Sequence, residues 1–272
     1  MKQTDILKYL KYAGITVLAT GLGIGAGKLI IDGINRHYEK LTGDLPLVID
    51  GAHLKEGKHR IVIGDQFMTQ LKYDTTKEDQ DLALRGITKA YENLNDLNSE
   101  KLQFELCTTE DGLDKYGITK IKEISKNDIP LYITDNFVEN PNIMAETKWD
   151  INNLTREMKD ESITFKKKYL SSVWKTYSTL EKTLAAENSV AYTITAHESM
   201  HLMGFAHYNA ELSLMNTYAK NANKDFQECD KKMIAKYNET FYNTKTKFKD
   251  NSEKNILNQS NEKYKIAEEF SL

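Results

Sequence analysis

One stretch constrains this chain more than any other: His197-Glu198-Ser199-Met200-His201-Leu202-Met203-Gly204-Phe205-Ala206-His207. Residues four apart share a helix face, so His197 and His201 can converge on one metal ion. Glu198 projects about 100° round from His197, which sets a carboxylate beside the metal rather than on it. Gly204 is free to take the left-handed conformation that ends a helix. The chain then turns back, and His207 can supply a third imidazole. Three neutral imidazoles leave one position of a tetrahedral zinc ion open to water. At this composition the five-residue core of the pattern arises by chance in roughly one such chain in a hundred. Adding Gly204 and His207 lowers that to about one in 10⁵, which makes the match specific. Gly204 is also the first glycine after Gly117 and the last in the chain.

With 272 residues, 40% of them hydrophobic, the chain can bury a full core, so one catalytic domain plus a terminal segment is expected. A formal charge of −3 and an isoelectric point near 6.1 give no reason to expect nucleic-acid binding. Two cysteines, Cys107 and Cys229, make no disulfide scaffold. They either form one bridge in an extracytoplasmic domain or stay as two thiols.

Residues 1–34 read as a signal peptide or membrane anchor. Lys2, Lys8 and Lys11 precede an uncharged run from Ala13 to Gly27, which Leu29-Ile30-Ile31 extends past Lys28. Lysines ahead of the span favour a catalytic domain outside the cytoplasm. The same run holds Gly21-Leu22-Gly23-Ile24-Gly25-Ala26, a loose dinucleotide fingerprint, but repeating strand–helix–strand units do not follow it. A buried apolar helix is the remaining alternative.

Residues 35–58 read as a linker that mixes charge with Gly43, Pro46, Gly51 and Gly57, with His37, His53 and His59 in or next to it and expected on the surface. Residues 59–245 carry the expected domain. Arg60–Gly64 is a strand, and Asp79–Leu94 a helix with an apolar stripe from Leu82 to Leu94. Strands follow at Leu102–Leu106, Pro130–Ile133, Ile143–Thr147 and Ser162–Phe165. Ser189 is a candidate N-cap for a helix from Val190 to Met203. A last helix is expected over Asp225–Phe241, and residues 246–272 form a polar tail.

The motif from His197 to His207, followed by Ser213-Leu214-Met215-Asn216, resembles the metzincins, a clan of zinc endopeptidases marked by this pattern and a methionine-bearing turn. The order of elements upstream is similar to the matrixin-like arrangement. The resemblance implies an α+β fold: a small, twisted, mostly parallel sheet with an antiparallel edge strand, a backing helix, an active-site helix and a C-terminal helix. It implies one catalytic Zn²⁺ on His197, His201 and His207, Glu198 as general base, Met215 as the structural Met-turn, and a peptide or protein substrate paired with the edge strand at Ile143–Thr147. Tyr218 is a candidate wall of the substrate pocket. The sequence leaves open whether a structural calcium accompanies the zinc. The alternative is a zinc-containing, membrane-tethered binding module without catalysis, which would have no chemical need of Glu198.

Overall fold

The computed structural model describes residue 48 and residues 51–137, 142–172, 189–207, 213–216 and 225–242. The expected anchor (1–34), most of the expected linker, Tyr218 and the tail (246–272) lie outside the described residues. Among the described residues, no helix is long and apolar enough to cross a membrane.

Six strands form one sheet: β1 (Gly57–Ile63), β2 (Leu102–Thr108), β3 (Thr119–Lys120), β4 (Ile129–Thr134), β5 (Ala145–Ile151) and β6 (Met158–Lys166). Their order is β3-β2-β1-β4-β6-β5. Every pair is parallel except β5–β6, so β5 is an antiparallel edge strand. The fold is therefore α+β with a mostly parallel sheet, as the sequence led one to expect.

Residues paired across a sheet point to the same face. The register lines up Ile63, Leu131, Ile163 and Thr147 in one row, and Ile133, Phe165 and Ala145 in the next. All but Thr147 are buried apolar side chains. Helices cover this face: Phe67 of α1 (Asp65–Lys72) meets Phe165, and Tyr91 of α2 (Lys77–Leu97) meets Phe104 of β2. A one-turn helix, α3 (Lys167–Leu170), follows β6. α4 (Val190–Leu202) packs along α2, and α5 (Glu228–Tyr242) closes the domain. At Gly86 of α2, an added Cβ would lie 2.3 Å from Ser189 Oγ and 2.9 Å from the Tyr192 nitrogen, so glycine permits the close approach of the two helices.

Several boundaries move. The edge strand expected at Ile143–Thr147 runs instead from Ala145 to Ile151, because the alternation of inward Ala145, Thr147, Trp149 and Ile151 continues past Thr147. The last helix begins at Glu228, three residues late. α1 gave no clear signal in the sequence, since it is eight residues long and its N-cap, Gly64, offers no side-chain acceptor.

The larger correction concerns the linker. Residue 48 and residues 51–58 belong to the folded domain: Ala52 and Leu54 are fully buried, and Val48 forms a bridge with Phe205. The Leu54 N–H donates to the Tyr237 hydroxyl, and the Tyr242 hydroxyl donates to the Leu54 carbonyl. His53 is not a surface histidine. It is 5% exposed, stacks on Phe241 at 4.5 Å, and sits 3.0 Å from the Gly51 carbonyl through Nδ1. Burial pushes its pKa down to about 4. This strap has irregular backbone, and its burial depends on partners nearly two hundred residues away, so no local periodicity announces it.

Candidate metal centre

α4 carries the site. Ser189 caps it by accepting from the Tyr192 N–H at 3.1 Å, as the sequence suggested. From Val190 to Met200 every residue is buried, and only His201 in the helix is partly open. Gly204 takes φ +89° and ends the helix. The strap adds a second demand on that glycine, because a Cβ there would meet the Ala52 carbonyl oxygen at 2.3 Å.

The three expected histidines come together. His197 Nε2 lies 3.1 Å from His207 Nε2 and 3.1 Å from His201 Nε2, and the third side of the triangle is 3.2 Å. His197 Nδ1 donates to the Leu214 carbonyl at 2.8 Å, and His201 Nδ1 donates to the Phe205 carbonyl at 2.6 Å. A neutral imidazole that donates from Nδ1 carries a lone pair on Nε2. At least two lone pairs therefore face each other in a buried space. Burial and the neighbouring imidazoles hold His197 well below its ordinary pKa and bring His201 down to about 3. Protonation does not relieve the clash, whereas a cation does. Metal–nitrogen bonds of 2.0–2.1 Å at tetrahedral angles separate nitrogens by roughly 3.3 Å, close to the spacing of this triangle. The donor set thus fits a divalent metal ion.

Glu198 is 1% exposed. Its Oε2 accepts from Thr147 Oγ1 at 2.6 Å. Burial raises its pKa to about 8, against the opposing effect of the Thr147 hydrogen bond. Met215 is fully buried within the turn at 213–216. That turn is tied to the histidines through the Leu214 carbonyl and clamped from α5 by Asp230, which accepts from Ser213 Oγ (2.8 Å), the Leu214 N–H (3.0 Å) and the Gln227 N–H (2.9 Å). Trp149 Nε1 donates to the His201 carbonyl at 3.1 Å.

Sequence reasoning missed Thr147, Asp230 and Trp149. Asp230 leaves a trace: it shares the buried stripe of α5 with Ile234 and Tyr237, where a carboxylate needs a partner. Thr147 and Trp149 lie on the inward side of an amphipathic strand and carry no local mark of their role. Cys107 and Cys229 are not in a disulfide among the described residues, and burial pushes their pKa values up to about 11 and about 12. No protein-family model matches the chain, and no curated protein matches it either. The described residues form a mixed α/β domain whose mostly parallel six-stranded sheet supports a three-histidine cluster able to hold a metal ion.

Proposed function

We propose that this chain is a zinc-dependent endopeptidase with a metzincin-like active site. The observation that carries the reading is the convergence of three imidazole nitrogens, two from one buried helix and the third from His207 beyond its end, beside a carboxylate on that helix that is not among them. His197, His201 and His207 would hold the zinc. When bound, zinc supplies a water made acidic enough to attack and a positive charge that polarises the scissile carbonyl.

Glu198 takes the proton of the attacking water and returns it to the leaving amine. Burial raises the Glu198 pKa, and the charge of a zinc ion held beside it would pull it back down, favouring the carboxylate that accepts the proton. A zinc ion held there would also supply most of the stabilisation of transition-state charge. β5 is the terminal strand of the sheet among the described residues, and an extended peptide would add to it as a further strand. Its first residues, Ala145 to Thr147, overlap the docking segment expected at Ile143–Thr147. The Met215 turn supports the reading through its tie to His197. With residues 13–31 as a signal or anchor, the enzyme would act outside the cytoplasm.

Profiling a diverse peptide library with the purified protein, with and without a zinc chelator, tests the reading. The expected result is cleavage that the chelator abolishes and added zinc restores. Stoichiometric zinc with no cleavage anywhere in the library would favour the silent binding module instead.

A further inference from the structure

We infer that Thr147 is a positioning residue for Glu198, holding Oε2 of the carboxylate so that Oε1 is the oxygen that exchanges a proton with the attacking water. The inference rests on the peptidase reading, since it assigns a role within that site.

The geometry begins in the sheet. The row Ile63, Leu131, Ile163, Thr147 is apolar until its last member, and it ends under α4 with a hydroxyl in place of a methyl group. That hydroxyl lies 2.6 Å from Glu198 Oε2 and 3.0 Å from the Glu198 backbone carbonyl oxygen. It has one proton to give. The carboxylate is the stronger acceptor, and 2.6 Å is the length expected of a hydroxyl bonded to a charged oxygen. Threonine is branched at Cβ, which limits its rotamers and keeps the hydroxyl aimed. Two residues on, Trp149 bonds the His201 carbonyl, so β5 is fastened to α4 at the base and again at a metal-site histidine. The strand that would dock the peptide is thus the strand that aligns the base.

The full chain with Thr147→Val and Thr147→Ser tests this. Valine keeps the shape and loses the hydroxyl, and serine keeps the hydroxyl. For valine we expect kcat about 10- to 100-fold lower, the range typical of partners that orient a metal-site group. KM should stay within about twofold, as for a group acting in the chemical step, with unchanged metal per chain and a melting temperature lower by only a few degrees, as expected for one lost buried hydrogen bond. Serine should restore most of the rate. In crystal structures, the Glu198 carboxylate should rotate in the valine protein and stay in place in the serine protein. A wild-type kcat in the valine protein overturns the inference, as does a fall in kcat accompanied by loss of metal. If the wild-type chain cleaves no peptide, the peptidase reading falls by itself. The crystal structures then decide Thr147: a carboxylate that keeps its orientation in the valine protein overturns the positioning role, and one that rotates supports it.

Discussion

Helices α2 and α4 lie side by side and are built on opposite plans. α2 buries one stripe, exposes the rest, and starts with a self-contained capping box in which Thr76 and Asp79 each bond the other's backbone N–H. Its reasons for being a helix are local. α4 buries almost everything, including Thr193, Thr195, His197, Glu198 and Ser199, each no more than 1% exposed. Burying polar groups on that scale is costly unless they find partners. For the residues of the candidate site the partners come from outside the helix: Thr147 for Glu198, Leu214 for His197, and Phe205, just beyond the helix end, for His201. The helix assembled by its neighbours carries the candidate metal centre, and the helix assembled by its own sequence supports it.

The contrast can be strained first through the strap that closes the far end of α4. His53 has a folded pKa of about 4 against an ordinary 6.5. As pH falls below 6.5 the unfolded chain takes up a proton that the folded chain refuses until about pH 4. Stability is therefore full above pH 6.5 and falls across this window, by about 3 kcal/mol from this residue alone. Chemical denaturation of wild type and His53→Gln between pH 7 and 4 measures it, and the variant should show the shallower decline.

Gly86→Ala gives a test of sign. Local propensity favours alanine in a helix by about 1 kcal/mol. Contact with α4 predicts the reverse, a loss of about 2 kcal/mol from overpacking against Ser189 and Tyr192. A raised denaturation midpoint would mean that α2 answers to its own sequence even at this interface.

Asp230→Asn leaves one acceptor oxygen for three donors. The turn that holds His197 should loosen, and metal affinity, read by competition with a coloured chelator, should fall about 10-fold. Smallest is Thr76→Ala, which should lower stability by about 1 kcal/mol through the lost cap and leave metal affinity as it was. If it moved metal affinity, the two helices would not be independent in the way described.

The same contrast explains what could be read from the sequence. The α2 stripe, the Ser189 cap and the histidine spacing are local patterns and appear where expected; the strands are found too, but β1 begins three residues early, β6 four residues early, and the two-residue β3 carried no signal. Gly204 was legible as a helix end, but its contact with Ala52 was not. The strap at 51–58 reads as linker because glycine and charge dominate it, while its burial is set by Tyr237 and Tyr242. Thr147 and Asp230 act across 51 and 16 residues of sequence, respectively, so only the assembled sheet and helices reveal them.

The central claim is that Glu198 serves as the base beside a metal held by three histidines. It is tested most directly by peptide cleavage with Glu198→Ala at matched zinc content. The account predicts one zinc per chain in both proteins and a rate 10²- to 10⁴-fold lower in the variant. Wild-type cleavage by the zinc-loaded variant would contradict it.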